Sequence, residues 1–271
     1  MTYTSVFAVF FLFIACLWLL SVVKKDASII DRFWGLFFVI LACLYGAASE
    51  SLVFRSYLTL FLVSIWGLRL SLYLHLRNSG HGEDFRYQKM RQKRGKAFWW
   101  QSFFTIYLLQ GVLAIVVSLP LFATLKDPGG PGVGVFDVLG LLVFSVGLLF
   151  EVGGDYQLSK FKKDPANKGK LLTSGLWSLT RHPNYFGDAC VFWGFYLISL
   201  SSSFGWAMFI GPLVMTIMLR YISGAAHLEK SLSKTKPGYK EYVENTPCFM
   251  PKWGFGKKNT PVSISEKGEA V

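Results

Sequence analysis

Few side chains in this chain can carry charge or metal chemistry. Of 271 residues only 16 are acidic, four are histidine and four are cysteine. Cys16, Cys43, Cys190 and Cys248 lie mostly within apolar runs and show no metal-ligand spacing. They read as small buried hydrophobes, so no metal site and no disulfide framework is expected. There is no internal repeat, no low-complexity block and no stretch with the composition of a soluble domain. The first apolar run, 7–23, lacks the basic start and small-residue cleavage site of a removable signal and reads as a retained helix.

Apolar character is abundant: 52% of residues are hydrophobic and 17% aromatic, beyond what a soluble core requires. Long apolar runs recur at 7–23, 33–48, 57–74, 98–125, 135–152, 189–200 and 206–222. Most approach the roughly 20 residues an α-helix needs to cross a hydrocarbon core. The expected fold is an all-α polytopic membrane helical bundle of about seven transmembrane helices. Pro120 divides the fourth run or tilts it. A membrane domain over 1–253 is followed by a tail over 254–271, polar and without aromatics from Lys257 onward and expected to be disordered in the cytoplasm.

The net charge of +12 is unevenly placed. The segments 77–96 and 156–182, and the chain beyond Ala225, hold most of the lysines and arginines, whereas the alternate connections hold almost none. By the positive-inside rule the N-terminus lies outside and the C-terminus in the cytoplasm. This means the inner membrane of a bacterium or the endoplasmic reticulum of a eukaryote. Topology and contact with membrane lipids account for most of the basic excess, and no nucleic-acid partner is needed. A phosphate-rich cofactor arriving from the cytoplasm would exploit the same field.

The histidines, with Glu151, Asp155, Asp188 and Arg220, fall at or beside the cytoplasmic ends of the runs. Singly, each reads as an ordinary interfacial residue; as a group they suggest a cytoplasm-facing cleft. Glu151 and Asp155 are one helical turn apart and share a face, and Lys162 extends that face if the helix continues as far as Pro165. Arg220 and His227, seven apart, would share a face of one helix. Arg220 reads equally as a phosphate fork or as a lipid anchor. In "RHPNYFGD", Arg181 and His182 precede a proline suited to a first helical turn. Asn184, Tyr185 and Asp188 then line a helix entrance whose free N–H groups favour an anion.

The stretch "SGLWSLTRHPNYFGD" resembles the signature of the membrane sterol reductases and of the wider steroid 5-alpha-reductase superfamily, especially its bacterial branch. "SIIDRFWG", "GHGEDFRY", "PLVMTIMLRYISGAAHLEK" and "PGYKEYVENTPCFMP" are similar to its other blocks, in order. The resemblance implies seven to ten spans, NADPH as cofactor with NADH possible, and hydride transfer to a carbon–carbon double bond of a hydrophobic, steroid-like lipid. It implies cofactor contacts at Lys162, Trp177, Asp188, Arg220, His227 and Tyr242, and related ones at Asp155 and Asn184. Tyr73 aligns with a catalytic tyrosine and, with Glu151, forms the candidate acid pair. The sterol reductases carry lysine at the position of Leu158 and aspartate at that of Gly224. Membrane methyltransferases that use S-adenosylmethionine share the "RHPxYxG" block and an acidic residue comparable to Glu229. A lipid methyltransferase is therefore the alternative, and a non-catalytic lipid-binding or transport protein the third reading.

Overall fold

The computed structural model describes residues 1–222 and 224–252, apart from the side chains at 226, 227 and 231. The expected tail over 254–271 lies outside the described residues. Among these residues all regular structure is helical. Each of the seven apolar runs is largely helical. Helical stretches over Tyr3–Lys24, Phe54–Asn78, Phe85–Val117, Val135–Lys163 and Gly205–Ile222 are long and apolar enough to cross a membrane. Two others are shorter: Trp34–Ala48 with 15 residues and Pro183–Ser199 with 17.

The chain divides into two compact units. The first comprises Met1–Leu142 and Phe192–Val214. It holds α1 (Tyr3–Lys24), α2 (Ile29–Arg32), α3 (Trp34–Ala48), α4 (Phe54–Asn78) and α5 (Phe85–Arg94). There follow α6 (Phe98–Ser102), a π-helical stretch at Phe103–Leu108, α7 (Leu109–Val117) and α8 (Leu119–Lys126). The fourth apolar run breaks at Ser118, two residues before Pro120, which sits in the first turn of α8. That is the position where a missing N–H costs least.

Backbones approach closely in this unit: a Cβ on Gly35 of α3 would stand 2.3 Å from the Gly67 carbonyl of α4. The rings of Phe38, Trp66 and Phe192 pack edge-on at centroid distances of 4.8–5.5 Å, a geometry that matches the positive ring edge to the negative face. Arg55 is buried against Asp137 at 2.6 Å. Its guanidinium also donates to the carbonyls of Pro128, Gly130 and Gly132, so one side chain fastens the turn-rich "KDPGGPGVG" loop. At another end of the unit, Tyr87 and Arg86 of α5 donate to Asp31 of α2 at 2.7 and 2.8 Å. These contacts tie the "GEDFRY" block to "SIIDRFWG".

The second unit comprises Val143–Val191 and Met215–Val271. It takes the later part of α9 (Val135–Lys163), α10 (Leu176–Leu179) and the start of α11 (Pro183–Ser199). The end of α12 (Ile210–Ile217), a π-helical turn at Met218–Ile222, α13 (Ala225–Thr235) and α14 (Tyr239–Asn245) complete it. A Cβ on Gly187 would lie 2.4 Å from the Gly147 carbonyl, so α9 and α11 touch backbone to backbone at a glycine pair. Phe150, Phe186 and Phe249 form the apolar centre beside that contact.

Candidate cofactor site

No proline occurs between the apolar part of α9 and Pro165, and the helix runs on past Gly153 and Gly154 through Lys163. It therefore carries Glu151, Asp155 and Lys162 on one continuous element, as the spacing predicts. Glu151 and Asp155 are buried, and Asn184 donates to Asp155 at 3.2 Å. A buried carboxylate needs such a donor.

The short α10 is anchored through its tryptophan. Trp177 Nε1 donates to the Gly154 carbonyl at 3.1 Å, and Tyr242 donates to the Trp177 carbonyl at 2.5 Å. The final segment then folds onto the residues before α11. Arg181 N–H bonds the Pro247 carbonyl at 2.9 Å, and Thr180 Oγ1 donates towards the carbonyls of Cys248 and Phe249. Lys252 N–H bonds the Leu179 carbonyl at 2.9 Å. "SGLWSLTRHP" and "ENTPCFMP", more than sixty residues apart, are thus one folded piece.

Arg181 fastens that piece. It reaches Glu229 Oε1 of α13 at 2.8 Å and donates to the carbonyls of Val243 and Thr246. His182 Nε2 lies 3.2 Å from the same carboxylate oxygen, and the imidazole stacks on Tyr185 at 5.4 Å. Burial alone would push the Glu229 pKa up. The hydrogen bonds from His182, Arg181 and Cys248, with the Arg181 charge, outweigh it and hold the carboxyl far below its ordinary range. Burial, then the Glu229 charge, push the Tyr239 phenol up to about 12, and burial pushes the Cys248 thiol up to about 11.

These elements enclose a cavity of about 550 Å³, within the range of small-molecule sites. Of the sequence-predicted residues, Lys162, Trp177, Arg181, His182 and Tyr242 line it together. Lys163, Lys168, Lys170 and Lys236 line it as well, against one acid, Asp164. Tyr239, Phe161 and several leucines supply the apolar wall. A chamber whose lining includes both lysines and aromatic rings suits a ligand that joins phosphates to planar rings. His182 and Tyr239, both in this lining, are themselves buried.

Other predicted residues lie outside the lining. Asp155 of α9 meets Asn184 of α11 in the same unit, Tyr185 stacks on His182 and packs against the phenylalanine cluster, and Asp188 is buried on α11. Glu151 lies at the α9–α11 contact, its backbone N–H 2.5 Å from where a Gly187 Cβ would stand. Tyr73 lies in the first unit, half-buried, with the guanidinium carbons of Arg69 and Arg77 at 5.2 and 5.7 Å from its ring centroid. The single helix expected to carry Arg220 and His227 does not form. The last long helix ends in a π-helical turn at Met218–Ile222, and a new helix starts at Ala225. Gly224 allows the break, since a Cβ there would stand 2.1 Å from the Leu219 carbonyl. Arg220 lies over the Tyr221 ring at 5.2 Å; the His227 side chain lies outside the described residues.

The sequence also concealed groups that the fold assembles. The donor atoms of His182, Glu229 and Cys248 lie within 4.8 Å of one another. The Glu229 oxygen is already shared by Arg181 and His182, so a metal ion would have to displace a guanidinium. Lys168, Lys170, Lys236 and Tyr239 join the lining without having been singled out by spacing. The available signal for Tyr239 was its place one helical turn before Tyr242.

A 269-residue alignment covers 87% of this chain and 76% of an uncharacterized protein of Schizosaccharomyces pombe, at 24% identity. A shorter stretch of 46 residues, 17% of this chain, is 52% identical to part of a probable O-methyltransferase of Ustilaginoidea virens, covering 16% of that protein. Residues 17–246 match DUF1295, described as a family of proteins of unknown function. The match spans most of the chain, which therefore belongs to this family, itself related to the steroid 5-alpha-reductase-like membrane proteins.

Proposed function

We propose that the protein is a membrane-embedded reductase that uses NAD(P)H to saturate a carbon–carbon double bond, an enone or alkene, in a steroid-like or isoprenoid lipid. The observation that carries this reading is the single cavity lined by Lys162, Trp177, Arg181, His182 and Tyr242 and bordered by further lysines. The reading includes seven spans, an outside N-terminus, and a cytoplasmic cavity open to soluble cofactor.

When bound, NAD(P)H supplies the hydride for one alkene carbon. The chain's own groups do the rest. The lysines neutralise phosphate charge, and Trp177 and Tyr242 offer ring faces. The Arg181–Glu229 pair fixes the wall that α13 and α14 contribute. Asp155 and Asn184, and Asp188 beyond them, brace the α9–α11 contact behind the cavity. Tyr73 and Glu151 are the proposed acids, one of which polarises a substrate carbonyl and gives the proton that completes the reduction.

The second reading is an S-adenosylmethionine-dependent lipid methyltransferase. It is favoured by the 46-residue likeness to a probable O-methyltransferase and by a carboxylate at Glu229 against His182. Tryptophan fluorescence of the purified protein separates the readings. Saturable quenching by NADPH and not by S-adenosylmethionine, with NADPH consumption on adding enone lipids, supports the reductase. The reverse supports the methyltransferase. A response to neither leaves a lipid-binding or transport protein.

A further inference from the structure

Residues 85–96 of the first unit hold six cations, Arg86, Lys89, Arg91, Lys93, Arg94 and Lys96, and no acid. Acids elsewhere in the unit match only the side of α5 that faces inward. Tyr87 is buried and donates to Asp31, Arg86 reaches Asp31 at 2.8 Å, and Arg91 reaches Glu83 at 2.8 Å. Glu83 also accepts the Ala27 N–H at 2.8 Å, and the Arg91 guanidinium lies over the buried Phe98 ring at 4.5 Å. Tyr87 and Arg91, one helical turn apart, therefore set which way the helix faces. Phe85, Lys89 and Lys93 follow at the same spacing on another stripe, and Lys96 extends it. All four are exposed, Lys89 lies over the Phe85 ring at 5.3 Å, and the three lysines make no ion pair among the described residues. Lys96 stands two residues before the apolar run that opens at Phe98, and Trp99 and Trp100 just beyond are exposed. Tryptophan collects where hydrocarbon meets headgroups.

We propose that the Phe85–Lys89–Lys93–Lys96 stripe is a docking surface for anionic phospholipid, with the lysines on the lipid phosphates and Phe85 inserted between headgroups. Charge complementarity argues for this occupant. A cluster of cations directly before a span is drawn to a negatively charged leaflet, whereas a zwitterionic headgroup offers it no net charge. The asymmetry of lysine and arginine along the chain makes that leaflet the cytoplasmic one, where anionic lipids reside. Lysine suits the task, because its ammonium meets a phosphate as a point charge and needs no fork geometry. An aromatic residue among basic ones is the mixture that seats a helix in the interface plane. Glu83 and Asp31 are positioning residues here: they hold the opposite side of α5 and so aim the lysines outward without touching lipid. The surface belongs to the first unit and would stand if the cavity of the second unit held no nucleotide.

The test gives full-length purified protein in neutral detergent an equimolar mixture of phosphatidylglycerol and phosphatidylcholine and counts the lipids retained by native mass spectrometry. The parent should retain phosphatidylglycerol about fivefold over phosphatidylcholine, and the preference should shrink as salt is added to the sample before measurement. Lys89→Gln/Lys93→Gln/Lys96→Gln should lose most of that preference at an unchanged thermal midpoint, since all three side chains are exposed. Lys89→Arg/Lys93→Arg/Lys96→Arg keeps the charge and should keep the preference, which separates charge from packing. No preference in the parent, a full preference in the glutamine variant, or an equal loss in the arginine variant would each overturn the proposal. Glycerophosphoglycerol, the headgroup without its acyl chains, should not displace the lipid. Displacement would assign the stripe to a soluble anion and overturn the membrane partner.

Discussion

At a single carboxylate, Glu229, most of the second unit's polar order converges. Arg181 and His182 share one of its oxygens, and the same arginine holds the carbonyls that end α14. Glu229→Gln keeps the shape and removes the charge, leaving a largely buried guanidinium without its anion. We expect a loss of about 1–3 kcal/mol, read as a lower thermal midpoint in detergent at pH 7. The acid dependence has a definite sign. The folded Glu229 carboxyl titrates below its ordinary value of 4.5, so its stabilisation is fully present above that pH and is lost as the pH falls further. The parent should lose more stability than Glu229→Gln on acidification below pH 4.5, and parallel curves would refute the role. Arg181 and His182 were legible as residues facing something charged. That Glu229 is what they face was not, because a hydrogen bond across nearly fifty residues leaves no local periodicity.

Two helices in backbone contact tolerate no side chain between them. At Gly187 any Cβ falls 2.4 Å from the Gly147 carbonyl, whereas at Gly130 nothing lies within 4 Å. Gly187→Val should therefore destabilise by about 1–3 kcal/mol, while Gly130→Ala should stay within about 0.5 kcal/mol; melting curves of the two decide. In the first unit, Arg55→Met should cost about 3–5 kcal/mol by leaving Asp137 buried without its cation, and adding Asp137→Leu should recover most of the loss. If the double variant is no better than the single, the Arg55–Asp137 pair is not the source of the loss. The long apolar helices were legible, because apolar runs and breakers are local signals: α9 runs to the residues before Pro165 and α8 carries Pro120 in its first turn; the short polar helices such as α5 and α14 carry no such run. The break between Arg220 and Ala225 was not. "RYISGAAH" contains no proline, and a π-helical turn has no composition of its own, so an uninterrupted helix was the natural reading.

On the scale of the whole molecule, the asymmetry of lysine and arginine predicts opposite exposures for two connections. In a cysteine-free background, Gly130→Cys should react with an impermeant maleimide in intact cells, and Lys168→Cys only after the membrane is opened. The reverse pattern would invert the topology. The long apolar runs were readable because crossing a bilayer sets a minimum apolar length, which five of the helical stretches meet. The cavity was readable only in part. Trp177, Arg181, His182 and Tyr242 stood in recognisable blocks and Lys162 was read from helical spacing, but the other lysines looked like ordinary interfacial charge, and Tyr239 differed in no local feature from a structural tyrosine.

The central claim is that this lysine-bordered cavity holds a dinucleotide, and the most direct measurement is equilibrium NADPH binding to the purified protein and to a Lys168→Ala/Lys170→Ala variant. Both lysines are exposed in the fold, so the variant should keep its thermal midpoint. The account predicts saturable binding by the parent that weakens with salt, and an affinity about tenfold lower in the variant, as loss of phosphate-directed charge requires. Binding that is absent from the parent, or equal in the two proteins, would contradict it.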